Sequence, residues 1–193
     1  MAKEGYRVYG IDNSLLSLKF AKKIFKDKNV KGQLIFGNGF KLPYLNNYFD
    51  LVFNIGVIEH FPWKKQEKFV KEMVRVSKRY ILISVPNDSP NSFFNEYKKT
   101  SYFVEGGEDY IPNFKKLAKK FSLNIVFLSG SHIIVCEDEA TIKNKKFYKK
   151  FNLTLPKKTY SKTDLKSLVN IEKKIPDKIL YNMGFLKYFL AKK

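Results

Sequence analysis

Leu42–Pro62 reads LPYLNNYFDLVFNIGVIEHFP. Within it, Phe49–Ile55 is apolar almost throughout. That pattern predicts a parallel strand buried on both faces rather than the apolar/polar alternation of a half-exposed one. Leu42-Pro43 closes a turn ahead of it. Asn54-Ile55-Gly56-Val57 marks the strand end, where Gly56 lets a ligand come close to the backbone. The loop beyond carries an acid and an imidazole side by side, Glu59-His60.

The flanking sequence fits the same architecture. Upstream, Tyr6–Ile11 is predicted as a buried strand with Asp12 at its carboxyl end. Asn13 or Ser14 can cap a helix on which Leu15, Leu18, Ala21, Ile24 and Phe25 recur at helical spacing, ending near Lys28-Asn29. Gly32 precedes a strand at Gln33–Phe36, and Gly37-Asn38-Gly39 is a turn. Downstream, Pro62-Trp63 opens a helix through Val76, with Phe69, Val70, Met73 and Val74 on its inner face. Arg79–Val85 is a fourth buried strand, stopped by Pro86-Asn87. The order β-α-β-β-α-β predicts a three-layer α/β domain.

Past Asn87 the pattern is weaker. Residues 88–110 read as an irregular insertion over the strand ends, and Phe114–Phe121 as a helix. Asn124–Leu128 reads as a strand, Gly130 as a turn, and His132–Cys136 as a strand pairing back. Ile179–Ala191 reads as a terminal helix or a last strand, and Gly184 leaves both open. The expected organisation is an α/β domain over residues 1–139 and a lysine-rich extension over 140–193 that completes the same domain or follows it.

The 193 residues suffice for one sizeable core. One cysteine, Cys136, excludes an intrachain disulfide framework and fits a reducing cytoplasm. No apolar run approaches the roughly 18 residues that span a membrane. The net charge of +19 is uneven: residues 140–193 hold 15 lysines against Asp164, Glu172 and Asp177. Arginine, favoured for bidentate phosphate and base contacts, occurs only at positions 7, 75 and 79, which argues against specific nucleic-acid recognition. Aromatics beside lysines in Ile179–Leu190 offer a reading as contact with an anionic membrane surface, against the plainer one of an element closing the core.

Three clusters carry candidate chemistry. Asp12, at the tip of a buried parallel strand, points into the crevice where open α/β sheets bind ligands, and its carboxylate can accept both hydroxyls of a ribose diol. It reads equally as a turn or capping residue. Gly37-Asn38-Gly39-Phe40 offers backbone groups to an adenine edge and a ring to cover it, or is an ordinary turn with Phe40 in the core. The third is Asn54-Ile55-Gly56. Glu59 and His60 are the candidates for acid–base work. No metal site is expected.

Together these residues resemble the class I S-adenosylmethionine (SAM) dependent methyltransferase family, of the methyltransferase type 11 kind. The resemblance covers residues 6–87, with a fainter echo at Gly107–Ile125. Its acid ending the second strand is Asp12. Its turn after the third strand is Gly37-Asn38-Gly39-Phe40-Lys41-Leu42-Pro43, with Asn38 where an aspartate is usual. Its F-D-x-V strand is Phe49-Asp50-Leu51-Val52, its E-H loop is Gly56–Phe61, and its later helix and strand end are Glu72–Val76 and Val85–Asn87. The resemblance implies a Rossmann-like sheet with helices on both faces. It implies SAM as cofactor, held by Asp12, Asn13, Asn38, Gly39, Phe40, Asn54, Ile55 and Gly56, and methyl transfer to a small-molecule or lipid-linked acceptor.

The resemblance also implies a first strand and a G-x-G-x-G loop ahead of Tyr6, and the sequence contains no such loop. The expectation is therefore a domain truncated at its N-terminus, lacking a strand that is central, between the second and the fourth. Three arrangements follow: the second strand pairs directly with the fourth, a second polypeptide supplies the strand, or the chain is a marginally stable fragment. Alone, it is expected to bind SAM weakly or not at all. The alternative is a non-catalytic descendant that binds protein, nucleic acid or anionic membrane through residues 140–193.

Overall fold

The computed structural model describes residues 1–87, 110–131, 177, 181 and 186–193. The fold is a Rossmann-like α/β arrangement built on parallel strands. Strand β1 (Tyr9–Asp12) leads into helix α1 (Leu15–Asp27), followed by β2 (Gln33–Phe36) and β3 (Phe49–Ile55). Helix α2 (Trp63–Val76) runs directly into β4 (Ser77–Pro86), and α3 (Phe114–Lys120), β5 (Asn124–Ser131) and β6 (Leu186–Lys192) complete the elements. The predicted insertion at 88–110 except Tyr110, the return strand His132–Cys136 and the lysine-rich stretch 140–178 except Asp177 lie outside the described residues.

Two sheets form. β1 pairs in parallel with β2, Tyr9 opposite Gln33 and Asp12 opposite Phe36. The second sheet has the order β3-β4-β6-β5, with β3 and β4 parallel and β6 antiparallel to both its neighbours. The direct pairing of the second predicted strand with the fourth is not adopted: no ladder joins β1 to β3. They still lie side by side. The Tyr9 ring meets the Phe49 ring edge-on, with centroids 5.2 Å apart, so the strand starts are together. Just past the ends of β2 and β3, Phe40 meets Phe61 at 4.9 Å, so the strand ends are together too. β1 and β3 therefore run in the same direction without hydrogen-bonding to one another.

The core lies on one face of the larger sheet. Ile81, Ile83 and Val85 of β4, Phe189 and Ala191 of β6, Val70 and Met73 of α2, and Phe114, Leu117 and Ala118 of α3 are buried together. Each of the larger of these side chains, the alanines aside, contributes about 1.5–3 kcal/mol on burial, which fixes α2 and α3 on that face. The β6 strand sits between β4 and β5, where the stacked rings of Phe189 and Phe114, 5.1 Å apart, join it to α3.

Several local expectations change. Tyr6–Val8 precede the strand, and Tyr6 is well exposed. Gly130 is not a turn but a residue of β5 paired with Lys187 of β6. On α1, Leu18 is buried, whereas Leu15 and Ile24, which recur with it at helical spacing, are exposed. On α2, the buried positions include Gln66 and Val76 beside Val70 and Met73.

Candidate functional site

Parallel pairing brings the carboxyl ends of β1 and β2 together, and the Phe40–Phe61 contact adds the end of β3. Asp12 is the last residue of β1 and half-buried. Its Oδ1 accepts the Ser14 amide at 2.7 Å, and Ser14 caps α1 by accepting the Ser17 amide at 3.2 Å. Ser14 is thus the helix cap, Asp12 takes the turn role weighed for it in the sequence, and Asn13 between them is exposed. One Asp12 oxygen is engaged in this turn. A carboxylate has lone pairs to spare, so the second oxygen can still accept a hydroxyl.

The turn after β2 is tightly specified. The Gly37 amide donates to the Asp12 carbonyl at 3.0 Å, tying the turn to the end of β1. Asn38 Oδ1 accepts the Phe40 amide at 2.9 Å, and the Lys41 amide donates to the Asn38 carbonyl at 3.0 Å. Asn38 therefore supplies a side-chain acceptor within the turn. A side chain on Gly39 would place its Cβ 2.5 Å from the Phe69 ring. Phe40 packs edge-on against Phe61 and Phe69, at 4.9 and 5.4 Å. Its ring is half-buried, joining β2's turn to the loop after β3 and to α2.

The β3 residues divide between the two faces. Asn54 is buried toward α2, its Nδ2 3.7 Å from Met73 Sδ, and its Oδ1 has no hydrogen-bond partner. Ile55 points the other way and is 57 % exposed. Gly56 has φ +67°, a conformation glycine adopts without strain, and its amide donates to the Ser84 carbonyl at 3.0 Å. The backbone of Ile55–Gly56, rather than the Asn54 side chain, is what β3 presents at the strand ends.

Glu59 and His60 share a short 3₁₀ turn, Ile58–His60, but not an environment. Glu59 is 1 % exposed while His60 is exposed, so the two side chains diverge. The Glu59 carbonyl accepts the Tyr110 amide, and Gln66 Nε2 donates to the Tyr110 carbonyl. These two contacts clasp the Tyr110 backbone against the strand ends. Gln66 has no sequence signal beyond being a polar residue on the core side of an amphipathic helix.

Glu72 and Arg75 stand at helical spacing, but what they hold carries no signal in the sequence. Arg75 Nε and Nη2 bond Glu72 Oε1 and Oε2, each at 2.8 Å. The same guanidinium donates to the carbonyls of Leu42 and Tyr44 at 2.8 and 2.7 Å, and Glu72 Oε2 accepts the Leu42 amide at 2.9 Å. The pair fixes residues 42–46, which follow the turn after β2. The guanidinium hydrogen bond holds the Glu72 carboxyl below its ordinary value.

Among the described residues no group of three or more acidic, histidine or cysteine side chains gathers to hold a metal, and no helix is long and apolar enough to cross a membrane. An open depression of about 920 Å³, lined in part by Lys3, Arg7, Lys28 and Lys31, lies at the amino ends of β1 and β2, away from these strand ends.

Residues 1–81 match the methyltransferase domain family. Norajmaline N-methyltransferase of Rauvolfia serpentina is 37 % identical over 75 residues, 38 % of this chain. The matched stretch spans a quarter of that enzyme's length. Magnesium protoporphyrin IX methyltransferase from Synechocystis PCC 6803, solved with bound SAH, superposes over 100 % of this chain and 66 % of its own, with a TM-score of 0.60 at 12 % identity. A SAM-dependent methyltransferase from Archaeoglobus fulgidus superposes over 97 % and 86 %, with a TM-score of 0.53 at 15 % identity. At these identities the structures speak for the fold alone. Residues 1–81 are similar to a methyltransferase domain, over less than half of the chain.

Proposed function

We propose that this chain carries the adenosine-binding half of a methyl-transfer site whose acceptor is a small or lipid-linked molecule. The observation that supports this reading is the convergence of three strand ends: Asp12 on β1, the Asn38–Lys41 turn after β2, and the Gly56 backbone after β3. SAM, when bound, supplies a methyl group on a sulfonium, an electrophile that needs an aligned nucleophile more than a dedicated catalyst.

The residues present fit the adenosine end. Asp12 offers an acceptor-only group for a ribose diol. The turn that Asn38 Oδ1 and Gly39 hold in place offers backbone donors and acceptors to a purine edge. Phe40 supplies an apolar wall, kept in position by Phe61 and Phe69. Glu72 and Arg75 hold the segment behind that turn. Glu59 and Gln66 hold Tyr110 at the strand ends, where an acceptor has to approach. They are positioning residues in this reading, and His60, being exposed, is the imidazole among the described residues that would reach a proton from the acceptor side.

The methionine end does not fit equally well. The sequence has no G-x-G-x-G loop, and no strand stands between β1 and β3 among the described residues. The chain by itself is therefore a weak SAM binder in this reading. Mapping amide shifts by NMR during titration with SAH tests it. Shifts are expected at Asp12, Asn38–Phe40 and Gly56. A titration that leaves these amides unmoved at millimolar SAH overturns the proposal.

A further inference from the structure

We infer that the depression at the amino ends of β1 and β2 binds the phosphate backbone of single-stranded nucleic acid. It lies at the opposite end of the strands from the proposed adenosine site and does not depend on the methyl-transfer reading.

Two segments build the depression: residues 2–9, which lead into β1, and residues 28–33, which connect α1 to β2. They are joined at the base. The Gln33 amide donates to the Val8 carbonyl at 2.9 Å, and the Val30 amide donates to the Phe25 carbonyl at 2.9 Å, which ties the second segment to the end of α1. Gly32 permits the close approach, because a Cβ there would lie 3.0 Å from the Val8 carbonyl and collide with the Phe25 ring. The walls are therefore fixed before any partner arrives. Lys3 and Arg7 stand on one wall and Lys28 and Lys31 on the other, all four exposed, and no lining residue is acidic. Glu4 and Asp27 adjoin the lining in sequence and are exposed. Four cations around one concavity attract a partner with repeated negative charge. At about 920 Å³ the space exceeds what a single phosphate fills.

The surroundings specify the partner further. The Tyr9–Phe49 contact puts the start of β3 beside the depression. Parallel pairing adds the start of β4, Phe49 opposite Ser77, and antiparallel pairing adds the end of β6, Tyr80 opposite Lys192. Lys78, Arg79 and Lys192 are exposed there and continue the positive edge beyond the depression. Tyr6 of the lining is 62 % exposed. Tyr48, 49 % exposed, meets Tyr9 of the lining with centroids 6.1 Å apart. Exposed rings among spaced cations suit a single strand, whose bases stack while its phosphates are held. Three of the four lining cations are lysines, point charges that hold phosphate without the fork that reads a base. A flat bilayer would meet the rim of this concavity and not its floor, so the strand is the better occupant.

The test uses the 193-residue chain and a fluorescein-labelled oligouridylate of about 12 nucleotides, within the roughly 4–16 that such a groove takes. Anisotropy is followed across a salt series. The variant with Lys3→Gln, Arg7→Gln, Lys28→Gln and Lys31→Gln is expected to bind about tenfold or more weakly. Its slope of log affinity against log salt is expected to be shallower by about 3, from four lost contacts at roughly 0.7 each. A control that loses the same charge elsewhere, by Lys143→Gln, Lys145→Gln, Lys146→Gln and Lys149→Gln, is expected to lose less than about threefold. In the unaltered chain the oligonucleotide is expected to shift the amides of Tyr6–Tyr9 and Lys28–Gln33. Equal losses in the two variants, or unmoved amides at those positions, overturn the inference. So does binding to phosphatidylserine vesicles with none to the oligonucleotide, because the face would then be a membrane contact.

Discussion

Arg75 and Glu72 meet through two parallel hydrogen bonds of 2.8 Å while both also hold the backbone of Leu42. A planar guanidinium can make this fork and reach the Leu42 and Tyr44 carbonyls together, and an ammonium cannot. Arg75→Lys is expected to cost about 1–3 kcal/mol, from lost charge-assisted bonds in a partly buried setting. The urea unfolding midpoint measures it, and an unchanged midpoint would show that the fork carries no stability.

The same pair gives a pH signature. The Glu72 carboxyl titrates below its ordinary value because of the Arg75 hydrogen bond, so its unfolded value is the higher one. Its contribution is therefore complete above the ordinary carboxylate range, about 4.3, and disappears as pH falls through the lowered folded value. Glu72→Gln is expected to flatten that part of the stability–pH curve. Chemical unfolding of both proteins across the acid range checks the difference.

Gly39→Ala is expected to destabilise by about 1–3 kcal/mol, as overpacking does in a crowded site. The new Cβ would lie 2.5 Å from Phe69, whose ring is hemmed by Phe40 and Phe61 at 5.4 and 5.9 Å. Pairing it with Phe69→Leu, which frees space, should recover part of the loss. A double mutant no more stable than Gly39→Ala would place the strain elsewhere.

Phe189→Ala is expected to cost about 3–5 kcal/mol, a large share of the roughly 5–15 kcal/mol that holds a domain folded. Phe189 is 0 % exposed in the strand between β4 and β5. Loss of the cooperative thermal transition, or a strongly lowered one, checks the central place of β6.

The legibility of the chain tracks how locally each element is determined. The bounds of β2 and β3 follow from their own residues, since a short, mostly apolar run between turn residues has few alternatives. The nature of Ile179–Ala191 stayed open at Gly184, and Lys187, on the buried side of β6 with its ammonium 5.2 Å above the Tyr181 ring, interrupts the strand alternation as well. Gly130 read as a turn because its partner, Lys187, is remote in sequence. The Glu72–Arg75 pair is visible at helical spacing, but its target, Leu42, lies 30 residues away from Glu72. Asp12 was legible in position and ambiguous in role, and the turn bond to Ser14 leaves room for both.

That ambiguity is open to a substitution. Asp12→Asn keeps an oxygen for the Ser14 amide and removes the charge, so stability should change by less than about 0.5 kcal/mol. Adenosine affinity should fall about tenfold, the usual scale for losing a charged acceptor. A fall in stability with unchanged affinity would leave Asp12 as a turn residue alone.

The central claim is that the chain holds the adenosine half of a methyl-donor site and not the methionine half. Parallel NMR titrations of the 193-residue chain with adenosine and with SAH test it most directly. The expected result is two dissociation constants within about tenfold of each other, because the methionine end adds little binding energy. SAH binding more than about a hundredfold tighter than adenosine would contradict the claim, because the chain would then hold both ends of the cofactor.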